Sequence, residues 1–273
     1  MNFGKAKKIL IFLFLFINVF LIIQLSTQPG KYTLQKETVQ NTIEIAKKNN
    51  VKISKKILPY TFTRLDTLNL YNPLTDKASF SKQFKDVKYL KDGTFSLPLQ
   101  GTLKSETPEQ ILKFLNKNGF ENYNFTYSNT VENPVTNEKI YTFIQKHRSY
   151  VISGATLSVY VNNKKILKAE GNVYEILNKE KSDYTILSPL QIILSFSTHA
   201  SSFGKKTEIT EITQSYYIPT AAKNYKNISA VPCYILKAGH ALFYYDAVQN
   251  TFLYSITDEG VLIEDINQAF DIL

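Results

Sequence analysis

Thr107-Pro108-Glu109-Gln110-Ile111-Leu112 opens a helix, and 81 residues later Ser188-Pro189-Leu190-Gln191-Ile192-Ile193 opens another in the same way. Each has a hydroxyl residue at the N-cap, proline at N1 and glutamine at N3. Proline loses nothing at N1, because the first helical N–H has no intrahelical partner. The glutamine reaches back to the N-cap amide while the hydroxyl caps N3, the reciprocal pattern of a capping box. Asn118-Gly119 closes the first helix and Gly204 the second.

Strand-like runs follow both helices. After the first they cover 123–127, 140–146, 155–161 and 165–176; after the second, 208–218, 231–237, 241–246 and 251–256. Tyr141, Phe143 and Gln145 alternate with their neighbours, as do Leu157, Val159 and Val161, which gives each strand one covered and one wetter face. Asn162-Asn163 suits a two-residue hairpin, since asparagine tolerates positive φ. Tyr and Phe number 18 each and Trp is absent, a composition that favours sheet. The expected fold is α+β: two helix-on-antiparallel-sheet modules, 106–187 and 188–273 with a tail. Ahead of them, 26–105 is expected to hold a helix over 33–49, a strand-like stretch over 52–72 and an irregular run over 78–98.

Ile9 to Leu25 runs ILIFLFLFINVFLIIQL without a charge, and Lys5, Lys7 and Lys8 precede it. This length reaches the lower limit for a transmembrane helix, and the positive-inside rule places the lysines in the cytoplasm. The expectation is a cytoplasmic end at 1–8, a transmembrane helix at 9–25 and an extracytoplasmic remainder: a single-pass protein of the cell membrane with the lipid bilayer as a partner. A cleaved signal is the competing reading. It is disfavoured because the apolar run is long and no small-x-small site follows it. A lipoprotein is disfavoured because the only cysteine, Cys233, lies far away in an apolar run that suits a buried small hydrophobe.

Asn18 stands mid-span, where an amide facing lipid is expensive. With Ile11, Phe14, Leu15, Leu21, Ile22 and Leu25 it forms one helical stripe, the expected partner-binding face. The alternative is that Asn18 bonds a carbonyl of its own helix; the sequence leaves both open.

Chemistry is sparse. The three histidines, His147, His199 and His240, belong to no HExxH or i, i+4 pair, so no metal site is expected. The carboxylates of Glu208/Glu211, Asp258/Glu259 and Glu264/Asp265 have no spacing that sets two acids across a bond. No Gly-x-Ser-x-Gly, P-loop or dinucleotide fingerprint is present. The net charge of +9 is scattered rather than striped, so nucleic acid is not an expected partner. No catalytic residue and no cofactor are expected, and the protein is not expected to be an enzyme.

The order of several segments resembles the YycI-type regulatory proteins that accompany the WalK/WalR (YycG/YycF) two-component system of Gram-positive bacteria. They are Gly4-Lys5-Ala6-Lys7-Lys8, Ile43-Glu44-Ile45-Ala46-Lys47-Lys48-Asn49-Asn50-Val51, Tyr141-Thr142-Phe143-Ile144-Gln145-Lys146, Leu157-Ser158-Val159-Tyr160-Val161, Ala169-Glu170-Gly171-Asn172-Val173-Tyr174, Ser188-Pro189, Tyr216-Tyr217, Val231-Pro232-Cys233-Tyr234-Ile235 and Phe243-Tyr244-Tyr245-Asp246-Ala247. That family commonly has Trp near its start and after the Pro-Cys-like position, where this chain has Phe3 and Tyr234. The resemblance implies a non-catalytic, membrane-anchored modulator of cell-wall signalling. Its partners would be the transmembrane helices of a sensor histidine kinase and a YycH-like protein. A membrane-tethered envelope module binding peptide or wall polymer is the alternative expectation.

Overall fold

A computed structural model describes residues 13–14, 16–18, 31–53, 57–58, 61–133, 135–180, 185–222 and 224–273. The elements, in chain order, are β1 (Lys31–Thr33), α1 (Lys36–Lys48), β2 (Val51–Ile53), β3 (Thr61–Thr63), β4 (Thr67–Tyr71), α2 (Lys77–Gln83), β5 (Lys88–Tyr89), β6 (Phe95–Thr102) and α3 (Pro108–Leu115). They continue with β7 (Phe125–Asn133), β8 (Glu138–His147), β9 (Tyr150–Asn162), β10 (Lys165–Gly171), β11 (Glu175–Glu180) and α4 (Pro189–Ser202). The last are β12 (Thr207–Tyr217), β13 (Asn227–Ala238), β14 (Ala241–Asp246), β15 (Phe252–Thr257), β16 (Leu262–Ile263) and α5 (Ile266–Asp271).

Fourteen of these strands share one hydrogen-bonded network, and β1 pairs with β3 apart from it. The first half runs β5-β6-β10-β9-β8-β7, all antiparallel. The second runs β12-β13-β14-β15-β16, with β2 parallel to β12 at one end and β4 bridging β13 to β11. The halves join where β9 meets β12 in parallel, with Tyr216 opposite Ile152 and Tyr217 opposite Ser153. Ser215 Oγ donates to the Val151 carbonyl at 2.8 Å and the Ile218 amide to that of Ser153 at 3.1 Å, which tightens the seam.

Each half has its own apolar core. Ile111 and Leu115 of α3 pack with Phe80, Phe84, Phe95, Phe120, Phe125 and Phe143. In the second half, Leu190, Ile192, Ile193, Phe196 and Ala200 of α4 join Val39 and Ala46 of α1 and Phe243 of β14. Burying a ring of this size is worth about 1.5–3 kcal/mol, so these clusters carry most of the gain from folding. Gln145, buried on β8, clasps the Tyr174 backbone: its amide nitrogen donates to the Tyr174 carbonyl and its oxygen accepts from the Tyr174 N–H. Gly171, at φ +153°, ends β10 where a Cβ would lie 2.0 Å from the Thr156 carbonyl oxygen, a contact that only glycine avoids.

Several expectations are corrected. The expected fold, a membrane-crossing helix ahead of two separate helix-on-sheet modules, gives way to one large sheet spanning both halves. Its physical cause is the length of β9, whose 13 residues outrun the first sheet and offer backbone to β12. The 26–105 stretch is also woven in, with β2 and β4 joining the second half and β5 and β6 the first. No helix among the described residues is long and apolar enough to cross a membrane, which corrects the single-pass anchor, the signal-anchor reading and the membrane localisation. Of the run 9–25, helical conformation is described at Leu13, Phe14, Phe16, Ile17 and Asn18; the rest lies outside the described residues. Seventeen residues at about 1.5 Å each would also fall short of a hydrocarbon core about 30 Å thick.

Smaller departures are local. The Thr107 side chain makes no cap hydrogen bond, whereas the Ser188 amide does donate to Gln191 Oε1 at 2.9 Å. The run 165–176 is two strands rather than one, because the chain leaves β10 at Gly171 and β11 pairs with β4. Cys233 is buried, as its apolar surroundings imply.

Candidate protein interface

Of the seven residues of the expected stripe, the structure describes Phe14 and Asn18; Ile11, Leu15, Leu21, Ile22 and Leu25 lie outside the described residues. Asn18 Nδ2 donates to the Phe14 carbonyl at 2.9 Å, so the amide is spent on its own helical segment. Of the two readings that the sequence left open, the structure shows the local one.

The titratable side chains are dispersed, and each has a structural task. His199 Nδ1 lies 3.0 Å from the Tyr245 hydroxyl between α4 and the sheet, where burial holds its pKa below the usual histidine value. His240 sits on the surface, 3.3 Å from Asp258. Glu208 pairs with Lys52, and Asp265 caps α5 by accepting from the amides of Asn267 and Gln268. Burial pushes the Cys233 thiol up, which keeps it protonated and unreactive. Among the described residues, no three of His, Cys, Asp or Glu gather where a metal ion could be held.

What stands out instead is unpaired backbone. An edge strand presents a row of free N–H and C=O groups, and proteins usually shorten, charge or cover such edges. Here β5 and β16 are two residues long, and β2 three. Beyond the part that β5 covers, β6 carries Pro98, which has no N–H to offer. The sequence of β11 holds Glu175, Lys179 and Glu180. On the open side of β12, Gln214 replaces a strand: its oxygen accepts from the Thr63 amide at 3.1 Å and its nitrogen donates to the Thr63 carbonyl at 2.8 Å.

β7 lacks these devices over most of its length. It has nine residues, no Pro and no Lys, and Glu132 is its one charge. A bulge interrupts its pairing between Tyr127 and Asn129, after which Asn129–Asn133 pairs regularly with β8. Its opposite side bonds no strand among the described residues. Phe125 anchors the root in the core, while Tyr127 is 43% exposed and Val131 54%. At the tip, Asn133 Oδ1 accepts from the amides of Val135 and Thr136, and Asn162 Nδ2 donates to the Thr136 carbonyl. The hairpin is therefore a firm projection with one long bare edge, flanked by the 89% exposed Val135.

Sequence reasoning ended the strand at residue 127, because the alternation fades where both faces become wet. A signal was available in the run Thr130-Val131-Glu132 followed by Asn133-Pro134, β-branched residues ahead of turn formers.

No protein-family model matches the chain, and no curated protein matches it. One similar solved structure is the crystal structure of an uncharacterized protein from Eubacterium rectale, at a TM-score of 0.37 and 10% identity, covering 82% of this chain and 85% of that one. That degree of likeness does not establish a shared fold.

Proposed function

We propose that this protein is a non-catalytic regulator that works by binding other proteins, with β7 as the strand it offers. The observation that carries the reading is the regular, unblunted edge over Asn129–Asn133, set between exposed apolar residues on a hairpin that the core does not need. Strand addition to such an edge draws affinity from main-chain hydrogen bonds and specificity from alternate side chains, and needs no catalytic group. The resemblance to YycI-type proteins supplies the candidate partners: a YycH-like protein, and through it a WalK/YycG-type sensor histidine kinase whose signalling the assembly tunes.

The test is Tyr127→Lys combined with Val131→Lys, which gives the edge the charges that other proteins use to repel strands. Binding to a YycH-like partner should weaken at least tenfold, about 1.4 kcal/mol. Melting should stay unchanged, since neither side chain is buried. Undiminished binding would remove β7 from the interface.

A further inference from the structure

A second surface feature lies on the other side of α3 from its buried face. Thr102 and Lys104, at the end of β6 and just beyond it, face Gln110, Lys113, Phe114 and Lys117 of α3 and the turn after it, across a groove of about 250 Å³. Lys104, Lys113 and Lys117 are exposed, and none is ion-paired among the described residues. The nearest carboxylate along the chain, Glu106, is already engaged, accepting from Lys139 Nζ at 2.9 Å and from the Lys164 amide at 2.6 Å. No acidic residue lines the groove. Lys113 and Lys117 are one helical turn apart, roughly 6 Å at Cβ, so their ammonium groups present a short row of charge.

We infer that this groove binds a phosphodiester-linked chain. Three ammonium groups in a row along an open cleft match an extended ligand with repeating negative charge better than a single enclosed ion. Ammonium groups act as point charges suited to phosphate oxygens, whereas planar carboxylates are matched by arginine forks, and no arginine lines the groove. The Thr102 hydroxyl and the Gln110 amide add donors. Single-stranded nucleic acid has the same linkage but draws on free aromatic faces for its bases. Phe114 offers no such face: its ring sits over Gly101, where a Cβ would come within 2.2 Å of Cε2. The ring walls the groove and leaves the backbone charge of a chain without bases as the thing recognised.

The experiment measures binding of the full chain to a poly(glycerol phosphate) chain, to polyglutamate of equal charge and to a single-stranded oligonucleotide. The triple variant Lys104→Ala/Lys113→Ala/Lys117→Ala is compared with a control, Lys36→Ala/Lys47→Ala/Lys48→Ala, which removes as much charge from exposed positions of α1. The inference expects the polyol phosphate to bind most tightly, with at least a tenfold loss in the groove variant and none in the control. Three neutralised phosphates should also weaken binding roughly 20-fold between 50 and 200 mM salt. Equal losses in both variants, equal binding of polyglutamate, or tighter binding of the oligonucleotide would each overturn it.

Discussion

The two halves of the molecule share a construction and differ in how they close. In each, a helix with proline at N1 is followed by four antiparallel strands, β7 to β10 after α3 and β12 to β15 after α4. In each, a tyrosine hydroxyl on the second of those strands donates to the carbonyl just ahead of the helix N-cap. Tyr141 donates to Glu106 at 3.0 Å, and Tyr234 donates to Leu187 at 3.0 Å. The second half is then wrapped by α1 and α5, and its outermost strand β16 is two residues long. The first half ends in β7 with its backbone bare. Side-chain burial is equally thorough in both cores, so the difference lies in unpaired main chain, which is where a protein without an evident reactive centre can still recognise a partner.

The largest test of that comparison is to open one core at a time. Phe120 is fully buried and stacks on Phe84 at 4.6 Å; Phe196 is fully buried against Phe243 at 5.1 Å and Phe270 at 5.2 Å. Phe120→Ala and Phe196→Ala should each destabilise the protein by about 3–5 kcal/mol in denaturant unfolding. Hydrogen exchange should then differ: Phe120→Ala should speed the amides of β7 and β8, while those of β13 and β14 keep their protection. Equal acceleration in both halves would show that the β9–β12 seam makes them one cooperative unit and would break the distinction.

How much of this was legible in the sequence follows the range of the interactions. The starts of α3 and α4 were readable because proline at N1 and the residues around it act within one turn. The faces of β8 and β9 were readable from alternation at Tyr141, Phe143, Leu157 and Val159. The pairing of Tyr216 with Ile152 was not, since 64 residues separate them and no local pattern marks a parallel partner. The break after Gly171 was equally hidden: what forbids a side chain there is the Thr156 carbonyl, brought in by sheet register alone. The candidate edge was missed for a related reason. An open edge is defined by the strand that is not beside it, and sequence periodicity carries no such information. The apolar run 9–25 shows the opposite error, a local pattern given more weight than the described helices support.

A smaller effect should come from Glu106, which ties the start of α3 to β8 in the first half; the second half uses the Ser188–Gln191 contact at the same place. The hydrogen bond from Lys139, then that from the Lys164 amide, holds the Glu106 carboxyl below its ordinary value of 4.5. A lowered carboxylate pKa contributes stability above the unfolded value, and that contribution fades as pH falls through the folded one. Glu106→Gln should therefore destabilise by about 1–2 kcal/mol near pH 7. The gap from wild type should narrow as pH drops below 4.5, read by thermal melting across a pH series. A constant gap would mean that the clasp works through shape and not charge, leaving the two helix starts equivalent.

The smallest expected effect concerns the parallel strand at the opposite end of β12. Lys52 of β2 and Glu208 of β12 lie 3.0 Å apart, with side chains 77% and 43% exposed. Solvent screens such a pair and side-chain entropy opposes it, so Lys52→Ala should change stability by less than about 0.5 kcal/mol. What holds β2 in place is the burial of Val51 and Ile53 on the same three-residue strand. Val51→Ala, which removes two buried methyl groups, should therefore outweigh Lys52→Ala severalfold in the same denaturant titration. If the lysine change proved the larger, β2 would be held by charge at its rim, and the second half would be less firmly closed than its core implies.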